Sequence, residues 1–174
     1  MTLVRFQRAS DNKNIGVLTW FPVHGTSMLG NNTHAAGDNK GVAAWLLERE
    51  LDDSETGAAG FVAGFSQANV GDTTPNVLGA YCDDGSGQQC KLEDSTCADG
   101  KSQACHGRGP EFTKLDLGIA SCYEMGRRQF SGARTIYVSL GSPGMIIIDA
   151  KAIPLTMFIE RPRFLFDPCR WLKC

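Results

Sequence analysis

Long apolar runs are missing from this 174-residue chain. Met145-Ile-Ile-Ile148 is far shorter than the roughly 18 apolar residues of a membrane-crossing helix. A lopsided charge is missing too, since 17 basic side chains face 19 acidic ones for a net of -2. With no basic stripe and no interleaved aromatics, a nucleic-acid partner is not expected. The opening Met1-Thr-Leu-Val-Arg-Phe-Gln-Arg8 has neither the apolar core nor the small-residue cleavage site of a secretory leader. Histidine is scarce, with only His24, His34 and His106. No Cys-x2-Cys pair marks a zinc ribbon, no Gly-x-Ser-x-Gly marks a serine-hydrolase elbow, and no internal repeat stands out.

What is abundant is glycine, at 20 residues, and cysteine, at seven. Four of the cysteines cluster as Cys82-x7-Cys90-x6-Cys97-x7-Cys105. The segment between them is polar and Gly-rich, so buried apolar surface cannot hold it. Disulfides in an oxidising compartment are the natural support. Zinc is the alternative, and these wide spacings suit it poorly. Asn31-Asn32-Thr33 is an N-glycosylation acceptor pattern, with Asn31 as the acceptor.

The length suits one domain with a sizeable core. Residues 3–6 alternate weakly as a strand. Residues 15–23 are rich in Ile, Val, Leu, Trp and Phe and read as a buried strand. Asp38-Asn39 is placed to cap a helix over 40–51, where Val42, Ala43, Leu46, Leu47 and Leu51 recur on one face. Phe61-Val-Ala-Gly-Phe-Ser66 is a second short apolar strand, giving a strand-helix-strand order. A second helix is expected over about 111–133. Pro110 stands near its start, and Leu115, Ile119, Cys122 and Met125 share a face.

Both apolar strands run into polar, Gly-bearing loops: His24-Gly-Thr-Ser-Met28 and Asn69-Val-Gly-Asp-Thr-Thr-Pro75. If the strands are neighbours, the loops open on one end of the sheet, where α/β folds place their chemistry. His24 is then a metal ligand or a general base, or an imidazole satisfied by a backbone carbonyl. Asn69 and Gly71 are candidate oxyanion donors. The plain alternative for the second loop is an Asx-turn before Pro75, with Asp72 bonding its own backbone.

Three long motifs carry a resemblance. They are Asn14-Ile-Gly-Val-Leu-Thr-Trp-Phe-Pro-Val-His-Gly-Thr-Ser-Met28, Gly37-Asp-Asn-Lys-Gly-Val-Ala-Ala44, and Phe61-Val-Ala-Gly-Phe-Ser-Gln-Ala-Asn-Val-Gly-Asp-Thr-Thr-Pro-Asn-Val-Leu-Gly79. With the Cys-rich segment ending Cys105-His-Gly-Arg-Gly-Pro110, they resemble the N-terminal amidase domain of neutral, non-lysosomal ceramidases, in wording most like fungal members. The resemblance covers roughly residues 3–137. It implies zinc-dependent hydrolysis of the linear amide of ceramide (N-acylsphingosine) to sphingosine and fatty acid. His24 matches a zinc-binding histidine, and Thr74 matches the family's catalytic serine. Cys82–Cys97 and Cys90–Cys105 match its interleaved disulfides. Threonine keeps the hydroxyl but adds a methyl that narrows its rotamers. The family's other zinc ligands, a His upstream and a Glu and a Tyr far downstream, have no counterpart here, so the zinc site is expected to be incomplete.

The expectation is therefore an α/β fold in an incomplete domain: a mixed sheet flanked by helices with a disulfide-pinned loop. Residues 1–137 are read as a piece of the catalytic domain, and 138–174 as an unrelated or poorly specified tail. The parent family implies a secreted or membrane-associated hydrolase of sphingolipid catabolism that takes its substrate from a membrane surface. On its own this chain is expected to bind zinc weakly and turn over little ceramide. One alternative is a non-catalytic, secreted, disulfide-stabilised module that binds lipid or a partner. Another is a metal-free hydrolase using Ser27 or Thr74 with His24.

Overall fold

The computed structural model describes residues 1–113 and 116–140. Three strands, β1 (Thr2–Gln7), β2 (Asn14–Phe21) and β3 (Gly57–Gln67), form one sheet in that order. β1 is antiparallel to β2, and β2 is parallel to β3. Helix α1 (Asp38–Leu51) makes the crossover between the parallel pair. Their register runs to Phe21 opposite Gln67, so both strands end at the same edge of the sheet. That shared ending is what brings the two polar loops together.

Strand periodicity sorts the side chains. Phe61 and Ala63 of β3 are buried with Val17 of β2, whereas Val62 is 55 % exposed. Leu47 and Leu51 of α1 join them, with Ala133 and Tyr137 of α2 (Ile119–Ser139). Each large side chain buried this way stabilises the fold by about 1.5–3 kcal/mol. The other face of the sheet carries Val4, Phe6 and Val62, all substantially exposed. Among the described residues nothing covers that face.

The start of α1 departs from expectation. Gly37 occupies the N-cap position without a side-chain hydrogen bond. Asp38, at φ 48°, turns its carboxylate outward to the preceding loop and accepts the backbone N–H groups of Ser27 and Met28. Those loop amides need partners, and a carboxylate is a stronger acceptor than the carbonyls nearby.

The second helix starts eight residues later than expected, at Ile119 instead of 111. Asp116 sets that start by accepting the N–H groups of Gly118 and Ala120, and Gly118 takes a left-handed conformation at φ 88°. Pro110 lies in the preceding loop, and Leu115 is outside the described residues. The buried face of α2 is Ser121, Cys122, Gly126, Gln129, Ala133 and Tyr137, so an apolar pattern could not have located it. Gly126 lets α2 approach α1: a Cβ there would sit 2.5 Å from Val42 Cβ. The helix continues through Ser139, across the boundary expected at 137/138. The rest of the expected tail, 141–174, is outside the described residues.

The Cys-rich segment is tied at its root by β4 (Gly79–Cys82) antiparallel to β5 (Cys105–Arg108). Cys82–Cys97 and Cys90–Cys105 are disulfides with Cα separations of 5.8 and 5.9 Å. Sulfurs of Cys82, Cys90 and Cys97 crowd together within 4.8 Å, but as disulfide sulfurs they offer no thiolate to a metal. Arg108 closes the module by bonding Asp83 at 2.9 Å and lying over the Tyr81 and Phe112 rings.

Candidate active site

The exits of β2 and β3 are laced together step by step. The Gln67 side chain bonds both main-chain groups of Val23, accepting from its N–H at 3.1 Å and donating to its carbonyl at 2.7 Å. Next, the His24 N–H donates to the Thr73 carbonyl at 3.0 Å. Asn76 then donates from Nδ2 to the Thr26 carbonyl at 3.1 Å. The parallel ladder is thereby extended past the sheet into both loops.

His24 adds a side-chain link. Its Nε2 lies 3.0 Å from the Gly71 carbonyl oxygen. A carbonyl only accepts, so Nε2 carries the proton and Nδ1 is left with the lone pair. Nδ1 is therefore the nitrogen available to bind a metal or take a proton. Gly71 sits at φ 53°, in the left-handed region that glycine reaches without strain.

Thr74 is exposed, and its Oγ1 accepts the Asn76 N–H at 3.1 Å. This is the local turn that a Thr-Pro-Asn sequence favours. It leaves the hydroxyl proton free to be donated and sets a positive N–H dipole against the oxygen. Asn69 and Gly71, the candidate oxyanion donors, are exposed on the same loop. Asn76 Oδ1 is buried without a hydrogen-bond partner beside it.

Ser27 behaves differently from the expectation that gave it a possible nucleophilic role. It is 2 % exposed, and its hydroxyl accepts from Asn39 Nδ2 at 2.9 Å. Enclosed in this way, it packs behind the loop as part of a buried polar layer. His34 is exposed in the loop before α1. His106 belongs to the disulfide module, with Nδ1 2.7 Å from the Asp83 carboxylate. Asn31 is exposed, as a glycan acceptor must be.

Residues from α1 frame the site: Asn39, expected at the cap, and Lys40, expected as the first residue of the helix, both within the Gly37–Ala44 motif. Asn39 is fully buried and donates from Nδ2 to the His24 carbonyl at 2.9 Å. Lys40 reaches the ends of both parallel strands, donating to the Phe21 carbonyl at 2.8 Å and the Ser66 carbonyl at 3.3 Å. Burial lowers its ammonium below the usual lysine range. A signal was present: lysine in the first turn opposes the helix dipole, so its charge has to be used elsewhere. Nearby, burial and the Asp38 charge push the Cys122 thiol up to about 12, which leaves it unreactive at neutral pH.

The family described as "Neutral/alkaline non-lysosomal ceramidase, N-terminal" matches residues 1–153. Neutral ceramidase B of Dictyostelium discoideum is 40% identical over 111 residues, covering 63% of this chain and 15% of that protein. Neutral ceramidase A of the same organism is 36% identical over 139 residues, covering 79% and 19%. The solved structure described as "Ceramidase complexed with C2" superposes with a TM-score of 0.51 at 27% identity, over 76% of this chain and 15% of that one. The chain thus spans less than a fifth of the length of these relatives.

Proposed function

Because the chain belongs to the neutral/alkaline non-lysosomal ceramidase family, we propose that it carries one side of an amide-hydrolase site for ceramide. The observation that supports this reading best is the His24 link to Gly71, which ties an imidazole to the loop that bears the Thr74 hydroxyl. In this reading Thr74 is the hydroxyl that acts at the amide carbonyl. The Asn76 N–H donates to its oxygen and favours negative charge there. N–H groups of Asn69 and Gly71 face the carbonyl oxygen as it takes up charge.

The resemblance also implies zinc, which would polarise the amide and acidify a hydroxyl or water. A catalytic zinc takes three protein ligands and an open position. Among the described residues the site supplies one, His24 Nδ1. This donor set does not by itself make the zinc centre. His24 is proposed as a single ligand of a site whose other donors lie outside the described residues. The disulfides suit an oxidising, extracellular setting. The substrate, nearly insoluble in water, is taken from a membrane surface.

The test is fatty-acid release from a fluorescent ceramide in detergent micelles with zinc added. Release from this chain alone is expected to be close to the blank, and any release is lost in Thr74→Ala and in His24→Ala. Turnover at about 1 s⁻¹ or faster, ordinary for a complete enzyme, would overturn the one-sided site. Lipid binding without release, indifferent to zinc and to His24→Ala, would favour the non-catalytic module. The observation on that side is the single donor nitrogen.

A further inference from the structure

Behind the His24 loop lies a layer of buried polar side chains. Asn39 is 0 % exposed, Ser27 2 % and Gln129 4 %. Buried carboxamides are stable only when their hydrogen bonds are made, and these bonds run in one direction. Gln129 Nε2, on α2, donates to Asn39 Oδ1 at 2.8 Å. Asn39 Nδ2 in turn faces three acceptors: the His24 carbonyl at 2.9 Å, Ser27 Oγ at 2.9 Å and Asp38 Oδ1 at 2.8 Å.

The direction cannot be reversed. Flipping the Asn39 amide would set its oxygen against the His24 carbonyl and the Asp38 carboxylate, neither of which donates, and its nitrogen against the Gln129 donor. The orientation of Asn39 is therefore unique. Thr73 and Asn76 hold the His24 N–H and the Thr26 carbonyl from the facing loop, Gly25 and Thr26 are exposed, and the His24 carbonyl is held from α1. Asp38 fastens the following residues through the Ser27 and Met28 amides. Asn39 is the only α1 side chain among these bonds that grips His24 itself.

We propose that Asn39 is a positioning residue for His24, and that Gln129 of α2 sets Asn39 in turn, so that the packed helix pair decides how the imidazole faces Gly71. This rests on the reading of His24 as a site residue, but the arrangement is testable without that chemistry. Ring orientation is read from the tautomer. Held against the Gly71 carbonyl, His24 is protonated at Nε2 with a bare Nδ1. His106 has the opposite form, since its Nδ1 donates to the Asp83 carboxylate. An imidazole released to water exchanges between the two forms.

The experiment uses the full chain labelled with ¹⁵N-histidine, without metal or lipid. Long-range ¹H–¹⁵N spectra are recorded at about pH 8.5, some two units above an ordinary imidazole pKa of about 6.5. In the wild type, His24 gives the Nε2–H pattern and His106 the Nδ1–H pattern. In Asn39→Ala the His24 signals move to the averaged position while those of His106 stay. Asn39→Asp keeps the shape but loses the donor, and it does not restore the wild-type pattern. Gln129→Met touches neither loop and shifts His24 part of the way. An unmoved His24 pattern in a folded Asn39→Ala chain overturns the proposal. If the Asn39 variants fail to fold, Gln129→Met decides: an unmoved His24 pattern there also overturns it. A chain inactive toward ceramide leaves these spectra unchanged, so the two readings fail separately.

Discussion

His24 Nε2 and the Gly71 carbonyl oxygen, 47 residues apart in sequence, meet at 3.0 Å across the exits of two parallel strands. Neither residue is buried, so burial cannot hold them together. Backbone and side-chain bonds together do: the strands end in register, the Gln67 side chain and the His24–Thr73 backbone bond carry the pairing onward, Asn39 holds the His24 carbonyl, and Gly71 adopts a φ of 53°.

Gly71→Ala tests that geometry. A Cβ at Gly71 meets nothing within 4 Å, so the cost is the left-handed backbone alone. That cost is about 1–2 kcal/mol for an L residue. For a chain of this size each kcal/mol lowers Tm by about 2–4 °C. Gly71→Asn, better tolerated in this conformation, is expected to lose less. Calorimetry of both variants checks the order, and an Ala variant as stable as wild type would contradict it.

Gly126→Ala and Gly132→Ala separate packing from helix propensity. Both glycines lie in α2, but only Gly126 presses on α1, where a Cβ would meet Val42 and the Asn39 carbonyl at 2.5–2.7 Å. Overpacking there is expected to cost about 1–3 kcal/mol. At Gly132 the nearest atom is 3.9 Å away, so alanine is expected to stabilise by up to about 1 kcal/mol. Opposite signs in urea unfolding are the expected result.

The disulfide module depends on its bonds more than the rest of the described fold does. Its core is cysteine, with Ala104 the partly buried apolar neighbour. Cys82–Cys97 closes a loop with a sequence separation of 15, a bond worth about 3 kcal/mol by the chain-entropy account. In a Cys82→Ser/Cys97→Ser variant, hydrogen exchange should rise in β4, β5 and the segment between them, while β2 and β3 stay protected. Uniform protection across the module would show that the bond is dispensable.

Asp116 predicts a pH dependence. Burial pushes its carboxyl up, but the Ala120 and Gly118 amides pull it down further, and it ends below its ordinary 3.8. A carboxyl lowered by folding stabilises fully above its unfolded pKa and loses that contribution as pH falls through its folded one. Asp116→Ala should therefore cost about 1 kcal/mol near neutrality, as for other lost helix caps. The gap in Tm between variant and wild type should close below about pH 4. A gap that persists in acid would mean the carboxylate charge is not what starts α2.

Much of the fold was legible along the chain. The runs at 15–23 and 61–66 stood out because β-branched and aromatic residues end abruptly at polar, Gly-bearing loops, and both are strands. Helix α1 was visible because Ala43, Leu47 and Leu51 follow its period. Helix α2 was misplaced at its start because its buried face is Ser121, Cys122, Gly126 and Gln129, which carry no apolar rhythm. The cap was only partly legible: Asp38 does accept the Asn39 N–H in the first turn, but it sits inside the helix with Gly37 at the N-cap, and its carboxylate also binds the Ser27 and Met28 amides, partners that only folding brings near.

The residue order was enough to define the local elements, the pairing of α1 with a βαβ crossover, and the polar character of the two strand exits, because hydrophobic period and turn chemistry act over a few neighbours. It also placed the chain in its family through motifs of many consecutive residues. The tautomer of His24, the burial of Ser27 and the grip of Asn39 and Gln129 on the His24 loop were decided by the tertiary structure alone. A hydrogen bond has direction and reach of about 3 Å, and no spacing along the chain says which donor will arrive.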